Sequence, residues 1–248
     1  ASNQAFHDYF KQAMTPLWHA QNISLFTKKN ISDTYWIVVD RFTPERQIPP
    51  KQGVGLARKI GCDIGISLKH QNILQSGWVH SSDADTHLPN HYFALPESDK
   101  FSAAVYPFHH KTDDSKIGQA TALYEKALHY YVDGLAWAGS PYAFHTVGSS
   151  VALRCHSYCQ ARGFPKRAGG EDFYLLNKLA KLAPVFLEKT IQLKIDARTS
   201  DRVPFGTGPA VSKICQLQDP NQDYRYYDYA SFKHLREWLT TLEHIQQF

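Results

Sequence analysis

The stretch Gly77–Phe93, GWVHSSDADTHLPNHYF, ends an apolar run with two carboxylates, Asp83 and Asp85, placed one residue apart. Its apolar start predicts a short buried strand, and Pro89 disfavours a helix that begins at the acids. The acids therefore follow the C-terminal end of a strand, the edge at which open α/β sheets bind ligands. An Asp-x-Asp pair there suits a hard divalent cation. Taken alone, such a pair is also compatible with a solvated loop or a helix cap.

The composition indicates one globular domain over residues 1–248. With 43% hydrophobic residues, a chain of 248 residues buries one substantial core. A net charge of +4 is compatible with an anionic ligand such as a nucleotide, but too small to indicate nucleic-acid binding. The cysteines form no C-x-x-C pair, and neither a signal peptide nor an apolar segment of roughly 20 residues is present. These features predict a cytoplasmic protein without an integral membrane segment; peripheral attachment to a membrane is left open.

The hydrophobic pattern alternates between helix and strand periods, which predicts an α/β fold. The run Tyr35–Asp40, YWIVVD, is typical of a strand buried on both faces, and Asp40 stands at its C-terminal end. The segment Gly53–Lys69 predicts a helix with Arg58 near its first turns. The same patterns predict further helices over Gln4–His19, Lys116–Trp137 and Ser231–Gln246, and strands over Ala103–Phe108 and Phe186–Ile195.

Two further segments carry candidate functional residues. Gly169 and Gly170 lead directly into Glu171 and Asp172, which open an amphipathic helix. Acids at a helix start are stabilised by the helix dipole, so capping alone would also explain them. The loop at 200–208, SDRVPFGTG, carries Arg202 and suits a lid that closes over a phosphate; an ordinary surface loop would have the same composition.

Taken together, these segments resemble the family 2 glycosyltransferases of the GT-A fold. The strand that ends in Asp40, the helix with GLARKIG, the strand that ends in DAD, the small-residue segment GSSVALR and the GGEDF segment follow one another in the family's order. The resemblance covers nearly the whole chain. It implies a GT-A-type, mostly parallel sheet flanked by helices in a single domain over residues 1–248, with residues 209–248 as a C-terminal helical extension.

The resemblance also implies a function: transfer of a sugar from a nucleotide-diphosphate donor to an acceptor hydroxyl on a saccharide, a lipid or a small molecule. In the family's inverting chemistry, a divalent cation (Mn²⁺ or Mg²⁺) held by Asp85 with Asp83 neutralises the leaving diphosphate. Asp172 would deprotonate the acceptor, and Glu171 would orient the acceptor or Asp172. The implied donor-binding residues are Asp40, Arg58, Asp83, Gly148, Ser149 and Arg202.

The chain departs from the family pattern at three places. VVDRF lacks the second acid and the Gly-Ser of the family's VVDDGS, and Lys59 replaces the usual asparagine of ARN. The family's first, nucleotide-binding strand is absent, and we expect it upstream of residue 1 in the natural protein. These departures keep open a non-catalytic carbohydrate-binding or partner-binding protein on a GT-A scaffold. The sequence is also compatible with a sugar-phosphate nucleotidyltransferase, and it does not distinguish a retaining mechanism from an inverting one.

Overall fold

The computed structural model describes residues 2–28, 31, 33–197 and 206–245. Its internal contacts divide the chain into two compact units, Ala1–Gln52 and Gly53–Phe248. Both contain helices and strands, which confirms the α/β class.

The first unit packs one helix against a three-stranded antiparallel sheet. Helix α1 spans Ser2–Ala13, and the strands are β1 (Thr15–Ala20), β2 (Ile23–Thr27) and β3 (Tyr35–Val39). Their core is aromatic, because the Phe10 ring on α1 lies 5.2 Å from Phe26 and 6.4 Å from Trp36.

Two predictions for this unit were wrong. The helix expected over Gln4–His19 ends at Ala13, and the chain continues as strand β1. The strand expected to be buried on both faces is an outer strand of the antiparallel sheet, with 61% of Tyr35 exposed. Alternate residues of β3 are exposed and partly buried, as expected for a strand that packs on one face; among the described residues of the first unit, helix α1 supplies that packing.

Among its described residues, the second unit contains two sheets. Its first elements are α2 (Gly53–His70), β4 (Trp78–Ser81), β5 (Thr86–His87), β6 (Ala103–Val105), β7 (Phe108–Lys111) and α3 (Lys116–Trp137). There follow β8 (Val151–Arg154), α4 (Cys155–Gln160), α5 (Glu171–Leu179), β9 (Val185–Leu187), β10 (Leu193–Asp196), α6 (Thr207–Cys215), α7 (Pro220–Asp223) and α8 (Tyr229–Ile245). The bounds of α2 and α3 agree closely with the predicted helices.

The strands pair mainly in the antiparallel sense, so the expectation of a mostly parallel sheet was wrong. The central sheet has the order β4-β8-β6-β9, and β8 runs antiparallel to both of its neighbours. The second sheet has the order β5-β10-β7. Over the described residues, five of the seven strand pairings are antiparallel, and the parallel ones are β6 with β9 and β10 with β7.

The central sheet is buried on both faces. Alternate residues of β6 and β8 enter different clusters: Val105 and Leu153 pack with Leu175 of α5, whereas Ala104 and Ala152 pack on the opposite side of the sheet. This double burial explains why β6 and β8 are continuous apolar runs in the sequence. The cluster that contains Leu175 fixes α5, the helix that begins with Glu171 and Asp172, against the sheet.

The strand expected over Phe186–Ile195 is two strands in different sheets. The break lies at Glu188, whose Oε1 accepts hydrogen bonds from the backbone N–H groups of Lys189 and Thr190 at 2.9 and 2.7 Å. This carboxylate stabilises a turn, so the chain leaves the central sheet after Leu187 and enters the second sheet at Leu193.

The described residues from 207 to 245 form mainly helices, α6, α7 and α8. Helix α6 buries Val211 and Ile214 in a cluster that includes Ala120 of α3. Helix α8 buries Phe232, but 63% of Ile245, which was expected to face inward, is exposed. Only the first part of α8 therefore packs as the periodicity predicted.

Helix α2 and the segment that precedes α5 are in unusually close contact. A Cβ atom added at Gly55 would lie 2.7 Å from the backbone N and O of Arg167 and closer still to the carbonyl oxygen of Pro165. The Gly55 N–H also donates a hydrogen bond to the Arg167 carbonyl at 2.9 Å. A glycine at position 55 thus fixes the distance between α2 and the segment that leads to α5.

We expect Gly55→Ala to destabilise the protein, because the added methyl group meets backbone atoms that cannot rotate away. Overpacking of this kind costs about 1–3 kcal/mol, which exceeds the gain of up to about 1 kcal/mol from the higher helix propensity of alanine. Gly61→Ala in the same helix is the matched control, because its Cβ would meet nothing within 4 Å. Urea unfolding should show lower stability for the first variant and equal or higher stability for the second. Equal stabilities of the two variants would contradict the close packing.

Candidate functional site

The side chain of Arg58 is the centre of the candidate site. Its Nε donates to Oε1 of Glu171 at 2.9 Å, its Nη2 to Oδ1 of Asp83 at 2.7 Å and its Nη1 to Oγ of Ser81 at 2.8 Å. The side chains of Arg58 and Glu171 are buried, with 9% and 5% exposed, whereas 43% of the Asp83 side chain is exposed. One guanidinium therefore joins α2, the end of β4 and the start of α5.

The electrostatics of Arg58 follow from these contacts. Burial alone lowers the pKa of an arginine, but the carboxylates of Asp83 and Glu171 outweigh this effect and leave the pKa of Arg58 raised. The cation is thus fully compensated where it lies. Removal of one partner of such a buried pair costs about 3–5 kcal/mol, because the other charge remains buried without compensation.

Gly148 lies directly against the Arg58 guanidinium. Ser81 Oγ, which accepts from Arg58, donates in turn to the Gly148 carbonyl at 2.8 Å. A Cβ atom at position 148 would lie 2.8 Å from Arg58 Nη2 and 2.9 Å from its Nε. A side chain at position 148 would therefore displace the guanidinium from its present position, whereas glycine lets the backbone approach it. Ser149, the next residue, is buried.

Asp83 and Asp85 leave β4 as the sequence predicted. The chain turns at the acids, since the Thr86 N–H donates to the Asp83 carbonyl at 3.2 Å, and then forms β5. Asp85 is half-buried, and its carbonyl accepts a hydrogen bond from the N–H of Asp196 at 3.2 Å. Strand β10 therefore fixes the backbone of Asp85.

The carboxylates of this turn suit a hard cation. Mg²⁺ binds through one or two protein carboxylates and completes its shell with water and substrate phosphates. Asp83 and Asp85 offer that type of donor set, although Oδ1 of Asp83 is already bonded to Arg58. No group of three or more His, Cys, Asp or Glu side chains that could hold a metal ion is assembled within the described ranges.

Glu171 and Asp172 begin α5 immediately after Gly170. Gly170 is the N-cap residue and has a left-handed φ of 70°, a conformation that favours glycine, and no side chain caps the helix. Glu171 is buried toward Arg58, and Asp172 is half-buried. Because Glu171 is committed to Arg58, helix capping does not account for it.

The pKa of Asp172 is raised to about 6, first by burial and second by the neighbouring Glu171 carboxylate. Hydrogen bonds from the N–H groups of Phe173 and Gly148, and the charge of Arg58, act in the opposite direction. The sequence led us to expect a carboxylate near its reference pKa of about 4, held ionised by the helix dipole. Burial and a second acid outweigh that dipole.

Two predicted donor-binding residues, Asp40 and Arg202, are not among the described residues of the second unit. Asp40 directly follows β3 in the first unit, where its Oδ1 accepts from the N–H groups of Phe42 and Thr43 at 3.1 and 3.2 Å. Burial raises the pKa of Asp40, but these hydrogen bonds and the charge of Arg46 outweigh it and leave the pKa lowered. Arg202 lies outside the described residues. Donor binding by Asp40 and Arg202 stays a prediction.

Sequence reasoning missed Ser81 and the glycines of α2. Ser81 stands at the end of a buried strand and gave no signal beyond its place two residues before Asp83. The GVG at the start of α2 was interpreted only as part of a helix. Glycines spaced two apart at a helix start were a usable sign of close packing, but their partner segment lies more than a hundred residues away.

Comparisons with known proteins identify no relative of this chain: no family model, curated protein or solved structure matches it. Within the part of the chain that the structure describes, none of the helices is both long and apolar enough to cross a membrane.

The raised pKa of Asp172 predicts a pH-dependent contribution to stability. Since the unfolded carboxyl has a pKa of about 4, Asp172 favours the folded state below that pH and loses this contribution as the pH rises through about 6. The free energy of unfolding of Asp172→Asn, relative to that of the wild type, should therefore rise by on the order of 1–2 kcal/mol between pH 4 and pH 7.5. Urea unfolding of both proteins at the two pH values measures the difference. Asp114→Asn, at an exposed acid, is the control. An equal change of unfolding free energy with pH in the two variants would contradict the raised pKa of Asp172.

Proposed function

We propose that this chain is a metal-dependent glycosyltransferase of the GT-A type. It would move a sugar from a nucleotide-diphosphate donor to an acceptor hydroxyl with inversion. The observation that supports the proposal best is the ion-pair cluster of Arg58, Asp83 and Glu171. These residues belong to three separate motifs of the family resemblance, GLARKIG, DAD and GGEDF, and Arg58 is bonded both to Asp83, 25 residues away in sequence, and to Glu171, 113 residues away.

In this proposal Asp172 is the base. The acceptor oxygen forms a bond to the anomeric carbon of the donor sugar while the bond from that carbon to the diphosphate oxygen breaks, and the hydroxyl proton passes to the Asp172 carboxylate. A base works best when its pKa lies near the operating pH, and a pKa of about 6 leaves Asp172 mostly ionised at neutral pH. Helix α5, anchored by Leu175 in the core, holds the carboxylate on a rigid element.

Glu171 and Arg58 would position the reacting groups. Glu171 is buried and bonded to Arg58, so it is better placed to hold the start of α5 and to raise the pKa of Asp172 than to accept a proton. Arg58 would fix Asp83, while Gly148, with Ser149 beside it, would line the donor sugar. A divalent cation bound by Asp85 and Asp83 would neutralise negative charge on the leaving diphosphate.

The metal assignment predicts that Asp85→Ala loses Mn²⁺-dependent binding of nucleoside diphosphates. Loss of an outer-shell partner costs roughly 10- to 100-fold in metal affinity, so loss of a ligand should cost at least as much. Calorimetric titration of UDP, GDP and ADP with and without Mn²⁺ measures the effect, with Asp114→Ala as a control at an exposed acid. Unchanged Mn²⁺-dependent affinity in Asp85→Ala would remove Asp85 from the site.

The base assignment predicts that Asp172→Asn keeps donor binding and lowers turnover by roughly 10²-fold or more, because the amide cannot accept the proton. The amide has nearly the same size and shape as the carboxylate, and Asp172 is not the cap of α5, so the fold should survive. Turnover is measured as nucleotide release from a panel of nucleotide sugars, together with the donor affinity. Near-normal turnover in the variant would exclude Asp172 as the base. Donor binding without turnover in the wild type would favour a non-catalytic binding protein on the same scaffold.

A further inference from the structure

Arg167 presents an exposed guanidinium that is held in place by an aromatic ring. Its Cζ atom lies 4.0 Å from the centre of the Tyr174 ring, which is close for a cation–π contact. Its side chain makes no hydrogen bond or ion pair within the described ranges, in contrast to Arg58 and Arg154, whose charges are compensated by carboxylates. The stacking leaves the N–H groups at the edge of the guanidinium available to a ligand.

The contacts of Arg167 place it beside the candidate site. Its carbonyl accepts the hydrogen bond from Gly55, one helical turn before Arg58 on α2. Its ring partner Tyr174 lies three residues after Glu171 on α5, so the two side chains are neighbours on the helix surface. Arg167 is therefore linked to both helices that supply the Arg58–Glu171 ion pair, about one turn from each partner.

The charges of the candidate site determine what a cation at the position of Arg167 can do. Arg58 is compensated by Asp83 and Glu171, and Asp172 contributes a further carboxyl group beside Glu171. A substrate with a negative group would thus meet a predominantly acidic cluster. Arg167 is a fixed cation at its border that is not already engaged by an acid among the described residues.

We propose that Arg167 binds an anionic group of a substrate, a phosphate or a carboxylate, with Tyr174 as the platform that orients its guanidinium. This inference rests on the proposed function for the identity of the substrates, but not for the site itself. A planar guanidinium offers two parallel N–H donors, the arrangement that matches both kinds of anion. The anion has two sources: the diphosphate of the donor, or an acidic group on the acceptor.

Calorimetric titrations of the full chain separate the two sources. The donor probes are UDP, GDP and ADP with Mn²⁺. The acceptor probes are glucuronate and glucose 6-phosphate, with neutral glucose for comparison, each titrated in the presence and absence of Mn²⁺ and the nucleotide. The variants are Arg167→Gln, which removes the cation, and Tyr174→Leu, which removes the platform. Lys166→Gln is the matched control, because it removes the same charge from the adjacent exposed residue.

We expect Arg167→Gln to weaken one class of anionic probe by roughly tenfold or more, as for the loss of a charge-assisted hydrogen bond. Tyr174→Leu should weaken the same class, and Lys166→Gln should change its affinity less than twofold. Weaker nucleotide binding assigns the anion to the donor, and weaker glucuronate or glucose 6-phosphate binding assigns it to the acceptor. If Arg167→Gln changes neither class, or if no anionic probe binds the wild type, the proposal is overturned. If only the sugar acids bind, and do so through Arg167, the site stands while the proposed glycosyltransferase function fails.

Discussion

The candidate site depends on one guanidinium that is shared by two carboxylates. Arg58 is buried with Glu171 and is bonded at its outer end to the more exposed Asp83. A buried ion pair contributes little net stability, because desolvation of the charges opposes their attraction, but a half-broken pair is costly. We therefore expect the arrangement to specify geometry more than it adds stability, because another register of α2, the end of β4 and the start of α5 would leave one of the three charges without its partner.

Close backbone contacts make this register possible. Gly148 lets its segment lie against the face of the Arg58 guanidinium, and Gly55 lets the segment before α5 lie against α2. Each glycine sits beside a hydrogen bond that uses the short distance, from Ser81 to the Gly148 carbonyl and from Gly55 to the Arg167 carbonyl. The charged groups thus stand on backbone segments that are held by close contacts and hydrogen bonds.

The sequence predicted the elements of the site better than the sheet that carries them. Helices α2 and α3 and the helix start at Glu171 follow from local periodicity and glycine signals, which need no knowledge of partners. Strand direction does not follow from such local patterns. The apolar runs of β6 and β8 are buried on both faces, and such runs look alike in parallel and antiparallel sheets, so the antiparallel β8 could not be recognised. The turn at Glu188 was missed because it depends on one side chain that accepts several backbone hydrogen bonds.

The pKa of Asp172 could not be predicted from sequence, because it reflects a balance of neighbours. A helix start favours the ionised carboxylate, but burial beside Glu171 favours the protonated one, and only the packing of α5 decides which effect is larger. The same packing sets the charge of the whole cluster. Since the charge of Arg58 is compensated by Asp83 and Glu171, Arg58 adds little attraction for an incoming diphosphate. In the proposed function, the positive charge for such a ligand would come from a divalent cation at Asp85 and from cations at the border of the cluster; among the described residues, Arg167 is a border cation whose orientation is held by a ring contact.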